Sequence, residues 1–290
     1  MSETTPSPGG RSTPRDGLSP TGNLVRQHDR DRFQTALFAP AARREALFAL
    51  YAFNYEIARI REAVREEMLG RIRLQWWREV VNAAYSGRPP RRHDVVETLS
   101  EAINRYDLTQ AHFERLIDAR EADLPGAPPP TLAALEEYCE ASSGCLVELA
   151  AEILGFRGEA AAAVAREVGV GYALAGLLRA MPHHAAAGRS YLPDEFSVDP
   201  EDYRRRQATP GLRGAVRAIA GMAERYLASA RAKQRTIPRS SRAAFLPATV
   251  ASRYLRKLKR AENDPFAPAL VAPDPLQSWR LLAASLRGRF

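Results

Sequence analysis

Cysteine is scarce: Cys139 and Cys145 are the only two in 290 residues. They lie six positions apart in a helical pattern, so they fall on different faces and do not pair easily. That argues against a disulfide framework and against a cysteine-based zinc site, and it fits a reducing compartment. Apolar runs are short as well. No stretch of about 18 apolar residues occurs, the length a membrane-spanning helix needs, and the first residues hold no apolar segment of the secretory type. Runs of β-branched residues are nearly missing, which removes the usual material of strands. There is no fixed-period repeat and no βα alternation. The basic residues follow no recognised nucleic-acid-binding motif and show no basic–aromatic interleaving, so no nucleic acid is expected as a partner.

What is present points to helices. Hydrophobic residues make up 45% and charged residues 26%, a globular composition. A chain of this length buries roughly 75% of its unfolded surface. Lys and Arg outnumber Asp and Glu by 42 to 34, a net charge of +8 carried mostly by arginine. Such an excess fits solvated helix faces, an anionic lipid surface or an acidic partner.

Residues 1–26 read as a disordered tail. Its first 22 residues combine Pro6, Pro8, Pro14 and Pro20 with Gly, Ser and Thr, and offer only Met1 and Leu18 as large apolar groups. Residues 27–290 read as one all-α domain. Pro40 is placed for the first turn of a long helix running to about Glu66. Periodic patterns follow over about 69–83 and 95–106, and then behind Thr109, an N-cap residue, with Phe113, Leu116 and Ile117. Further helices are expected over about 131–154, 158–181, 210–236, 238–260 and 275–287. Pro182 is expected to end one of them and to open a loop over 183–208.

Several segments are similar, in order, to the squalene/phytoene synthase family. Ala46-Leu-Phe-Ala-Leu-Tyr-Ala-Phe-Asn54 resembles its A-x-Y-A-F-C-R stretch, and Gly188-Arg-Ser-Tyr-Leu-Pro193 its G-R-x-Y-L-P element. Leu74-Gln-Trp-Trp-Arg-Glu79 resembles L-x-x-W-R, and Leu116-Ile-Asp-Ala-Arg-Glu-Ala-Asp-Leu124 resembles L-I-x-G-M-x-x-D-L. Tyr138-Cys-Glu-Ala-Ser-Ser-Gly144 and Gly169-Val-Gly-Tyr-Ala-Leu-Ala-Gly-Leu-Leu-Arg179 resemble two further family segments. Together the pieces span roughly residues 30 to 260. The resemblance implies an isoprenoid-synthase-like helical bundle around a central cavity.

The family joins two prenyl diphosphates head to head, with Mg²⁺ held by two Asp-rich clusters on facing helices. Mg²⁺ takes hard oxygen ligands in octahedral geometry, and D-D-x-x-D spacing gathers carboxylates near one helix face. At the matching positions this chain departs. The first cluster falls on Ala58, Arg59 and Glu62, leaving one carboxylate beside two arginines. The second falls on Ala180, His183 and His184, leaving none. The polar face before it has become Ala173, Ala175 and Gly176.

These departures are themselves similar to a branch of the family. Ala52-Phe-Asn-Tyr-Glu-Ile-Ala58 and Leu178-Arg-Ala-Met-Pro-His-His184 resemble the non-catalytic branch represented by the mitochondrial complex I assembly factor with a phytoene-synthase-like domain. That resemblance implies a protein without cofactor that acts in assembly of NADH:quinone oxidoreductase, with a complex I subunit or assembly protein as partner. It also implies a cytoplasmic location with peripheral contact at the inner membrane.

Two alternatives stand beside this reading. One is a Mg²⁺-dependent head-to-head prenyl transferase. The other is a module that binds an isoprenoid or quinone in a cavity lined by Tyr51, Asn54, Tyr55, Ala173, Gly176, Arg179 and Tyr191. Asp118, Glu121 and Asp123 read as solvated helix charges, and His183 and His184 as loop residues without a third ligand. The basic helix Ser252–Arg260 is suited to lying on anionic lipid. Gly144, Gly169 and Gly171 read as places where helices approach closely.

Overall fold

The first helix opens at Ser19, whose hydroxyl accepts the backbone N–H of Gly22 at 3.0 Å and caps α1 (Pro20–His28). In the computed structural model the described residues are 17–64, 66–272, 274–288 and 290. Residues 1–16 of the expected tail lie outside them. Residues 20–26 do not behave as tail: Thr21 and Val25 are buried, and α1 packs against the third helix. The proline, small and polar residues that read as disorder in sequence are here a helix start.

Asp29 then caps α2 (Arg30–Ala36) through the N–H of Arg32. Pro40 stands just outside α3 (Ala41–Ala58), whose residues from Ala46 to Asn54 are all buried. The helix does not run to Glu66. It stops at Arg59, restarts briefly as α4 (Ile60–Ala63) and turns extended at Val64. Next come α5 (Glu67–Tyr85), α6 (Asp94–Tyr106) and α7 (Gln110–Ala122). Thr109 does not cap α7 with its side chain. Its hydroxyl and its N–H both go to the Glu152 carboxylate, at 2.5 and 2.9 Å, which ties the α7 start to a distant helix.

α8 (Leu132–Cys139) continues through a π-helical segment, Glu140–Gly144, into α9 (Cys145–Ile153). The axial helix is α10 (Glu159–Ala186), which packs against the π segment, α9, α12 and α13. At its crossing with the π segment, a Cβ on Gly169 would lie 2.5 Å from the Gly144 Cα. The two backbones therefore touch, and glycine is required. The final elements are α11 (Pro200–Arg204), α12 (Pro210–Ala232), α13 (Pro247–Arg260), α14 (Pro268–Val271) and α15 (Gln277–Arg287). Among the described residues there is no β-strand, so the expected all-α bundle is the architecture found.

Two further expectations are corrected. Pro182 does not end α10, which runs four residues further. An interior proline costs about 3 kcal/mol, and burial of Met181 and Ala185 on either side holds the helix through it. The basic helix α13 turns Ala251, Tyr254, Leu255 and Leu258 into the core, so its apolar face is not free for lipid. Finally, an 18-residue window of α10 has mean hydropathy 1.4, although the sequence holds no uninterrupted apolar run of that length. Of that window 61% is buried inside the molecule, so α10 is its central core helix.

Candidate functional site

The segments that resemble the family meet at one carboxylate. Asp123 closes the C-terminal end of α7. Its oxygens accept from Arg61 Nη1 at 3.0 Å, from the Tyr191 hydroxyl at 2.8 Å to each oxygen, and from the Tyr138 hydroxyl at 3.3 Å. Arg120 Nη1 donates to the Tyr138 hydroxyl at 2.7 Å. The side chains of Arg61 and Asp123 are only 13% and 12% exposed. Gly126, at φ +83°, passes against the Arg61 guanidinium, where a Cβ would collide with it. Around this pair, burial pushes the Tyr138 phenol up to about 12 and raises Tyr191 further, with the neighbouring phenol and Asp123 adding to it. Both tyrosines are therefore neutral hydrogen-bond donors.

The second-cluster positions reach the same place by another route. Because α10 continues past Pro182, His184 is helical and its ring lies 4.9 Å from that of Tyr191. Burial, with His183 beside it, drives its pKa down to about 4, and its buried Nδ1 has no hydrogen-bond partner. His183 is exposed and Ala180 half-buried. From the loop, Arg189 donates to the Arg61 carbonyl at 3.4 Å and stands 3.8 Å from Glu62.

The first-cluster positions do not converge. Ala58 is the last residue of α3 and Arg59 its C-cap. Glu62 sits on α4 with its side chain 56% exposed. The break at Arg59 separates positions that a continuous helix would have aligned.

The proposed cavity-lining set divides. Tyr191 belongs to the Asp123 site. Tyr51 and Arg179 belong to a second polar knot built on α2. There Asp31 accepts from Arg179 at 2.7 Å, from the Tyr172 hydroxyl at 3.4 Å and from Gln277 at 2.8 Å. Arg32 lies over the rings of Tyr172 and Tyr51, 4.8 and 5.8 Å from their centroids. Burial alone would raise the Asp31 carboxyl, but Arg179 holds it below its ordinary value. Tyr55 stacks on His28 at 4.3 Å, and the buried Asn54 leaves its Oδ1 unpaired. Ala173 is half-buried against the core, and Gly176 faces open space. Inside the bundle beside Tyr191, the apolar cavity lined by Leu135, Leu177, Leu178, Met181, Leu192 and Ile219 is about 10 Å³. A larger, open pocket of about 330 Å³ lies outside it, lined by Arg189, Leu192, Pro193, Val198, Tyr203 and Arg204 among others.

The sequence pattern reads Asp123 as a solvated helix charge, but its side chain is only 12% exposed and is held by Arg61 and two tyrosines; Arg61 and Tyr138 were not singled out as site residues. Asp123 and Tyr138 do lie in segments that carry the resemblance, and that was the available signal. Asp118 and Glu121 behave as expected for a solvated face, bound by Arg78 at 2.6 and 3.2 Å. The Mg²⁺ that the family fold implies does not fit these residues. Six motif positions supply one carboxylate, Glu62, which faces Arg189. The one buried acid nearby, Asp123, is already saturated by a guanidinium and two phenols, and bringing a divalent ion close to Arg61 adds repulsion.

The squalene/phytoene synthase family profile matches residues 25–283, and the chain belongs to that family. The solved squalene synthase HpnC from Alicyclobacillus acidocaldarius superposes with a TM-score of 0.76 at 22% identity, covering 85% of this chain and 94% of that one. A dehydrosqualene synthase does so at 0.79 and 18% identity, covering 92% and 94%. At such identities the likeness is one of fold.

Within the family, the chain is similar to NADH dehydrogenase (ubiquinone) complex I, assembly factor 6. The Bos taurus protein is 32% identical over 271 residues, covering 92% of this chain and 81% of its own length. The Homo sapiens protein is 31% identical, covering 89% and 80%. Presqualene diphosphate synthase of Rhodopseudomonas palustris is 26% identical over 74% of this chain.

Proposed function

We propose that this chain acts in assembly of respiratory complex I as a non-catalytic member of the family, through contact with a complex I subunit or another assembly protein. The observation that carries this reading is the Arg61–Asp123–Tyr191 lock. It holds α4, α7 and the loop after α10 together with protein groups, while the six positions that resemble the family's metal clusters supply one carboxylate, Glu62. The similarity to assembly factor 6 along nearly the whole chain supports the same reading.

Association with the membrane that holds the complex has its own support. Leu276, Trp279, Leu282 and Leu286 recur at helical spacing and are 50%, 69%, 37% and 78% exposed. Arg280 and Arg287 lie among them on the same helix. Exposed Trp and Leu flanked by arginine suit the headgroup boundary of anionic lipid, with α15 lying flat. It is this helix, not α13, that offers a free apolar face. This reading takes the chain as cytoplasmic and peripheral at the inner membrane, and the exposed face of α15 supports the peripheral contact.

Deletion of the gene tests the assembly role. Native gels should then show loss of mature complex I and accumulation of subcomplexes, restored by the wild-type chain. Normal complex I in the deletion strain refutes it.

A second reading retains one specific support. The 330 Å³ pocket combines Leu192, Val198 and Tyr203 with Arg189 and Arg204, a lining that suits an isoprenoid with an anionic head. Native mass spectrometry of the purified protein would then reveal a bound isoprenoid.

A further inference from the structure

Away from the Asp123 site, α7 and α9 bring three unlike side chains together. One nitrogen of His112, the thiol of Cys145 and one carboxylate oxygen of Glu148 all lie within 4.8 Å of one another. His112 Nδ1 is buried and makes no hydrogen bond, although Glu148 Oε2 is 3.2 Å away. Two ligands about 2.1 Å from one tetrahedral ion stand about 3.4 Å apart, so the existing separation is close to that of a shared cation. Cys145 and Glu148 are three residues apart on α9, the spacing that sets two ligands on one helix face. Behind the imidazole, Glu152 Oε1 lies 4.0 Å from Nε2. A carboxylate there orients a metal-bound histidine and fixes its tautomer.

We propose that His112 Nδ1, Cys145 Sγ and Glu148 form a three-ligand site for a zinc-class divalent cation, with the fourth position open to water. Imidazole, thiolate and carboxylate together select zinc over magnesium. Sequence spacing spoke against a cysteine-based site because the two cysteines cannot converge. The fold supplies the other two ligands, one of them from a second helix.

The ion-free trio is unfavourable in a way a cation relieves. Burial and the adjacent Glu152 push the Glu148 carboxyl up to about 7, and burial pushes the Cys145 thiol up to about 11 and the imidazole down. The charged groups facing the trio balance. Arg115 pairs with Glu140 at 3.3 Å, and Arg157 pairs with Glu152 at 3.4 Å. Arg115 also acts on the thiol, the carboxyl and the imidazole, so thiolate and carboxylate together hold a −2 charge against one nearby guanidinium and the ion. A bound ion would clamp α7 to α9.

Cobalt(II) titration of the full-length protein, purified with reduced thiols, tests the site. The wild type should develop a near-ultraviolet sulfur-to-cobalt charge-transfer band and the intense visible bands of a tetrahedral centre, both bleached by zinc. C145S should lose the charge-transfer band. C145S, H112A and E148Q should each weaken zinc binding at least about tenfold in a chelator competition. C139S should match the wild type. C145S is nearly isosteric, so the test survives if H112A folds poorly. Absence of the sulfur band in the wild type, its persistence in C145S, or its loss in C139S overturns the proposal.

Discussion

Replacing Asp123 with asparagine keeps the shape of the side chain and one acceptor for Tyr191, and removes only the charge that faces Arg61. The guanidinium is 13% exposed, so solvent does little to screen it. Removing one partner from a buried ion pair typically costs 3–5 kcal/mol, because the other charge is left uncompensated. Retention of the phenol contact places D123N at the low end, about 3 kcal/mol. At this chain length each kcal/mol corresponds to roughly 2 °C, so Tm should fall by about 6 °C. Urea unfolding followed by circular dichroism measures the free-energy loss, and a thermal melt measures the fall in Tm. Arg61→Met in the D123N background should recover about 2 kcal/mol, since the orphaned charge is then gone and the apolar stem remains. A D123N protein within about 1 kcal/mol of the parent, or a double variant no better than the single one, would refute the view of Arg61–Asp123 as a buried lock.

Other consequences are equally direct. Gly169→Ala places a methyl group 2.5 Å from the Gly144 Cα, which only backbone displacement can relieve. It should cost at least about 2 kcal/mol in the same unfolding assay, whereas Gly176→Ala, with open space around it, should cost little. His184 titrates near 4 when folded against 6.5 for a free imidazole. The unfolded chain binds the extra proton, and stability is lost as pH falls through that window, on the order of 2 kcal/mol. His184→Phe should flatten this acid limb, and an unchanged limb would show that the imidazole is not buried neutral. The Glu148 carboxyl, raised to about 7, works with the opposite sign, destabilising as pH climbs from 4.5 to 7. Trp279→Asp with Leu282→Asp should abolish flotation with anionic vesicles while leaving the helical signal intact, because both side chains are exposed.

Long periodic segments carried most of the bundle at the level of sequence. α5, α6 and α12 end within a few residues of where apolar spacing and Pro or Gly punctuation placed them. Local rules failed where tertiary contacts outweighed them. Pro182 is tolerated because its neighbours are buried, and Thr109 gives its hydroxyl to Glu152 in preference to its own helix. The candidate site was legible only by its segments. Tyr191 was singled out, but Asp123 lies in a run with two solvated acids, and nothing local separates it from them. Its role depends on Arg61, 62 residues earlier, and on Tyr191, 68 residues later. The break after Ala58 was also hidden, since Ala58 to Ala63 reads as uninterrupted helix by propensity.

The most direct measurement is incubation of purified protein at high concentration with farnesyl or geranylgeranyl diphosphate and Mg²⁺, followed by product extraction. If the loss of the cluster carboxylates has ended metal chemistry, no coupled prenyl product forms at any Mg²⁺ concentration. A Mg²⁺-dependent product that disappears in an active-site variant such as Y191F would contradict the non-catalytic assignment.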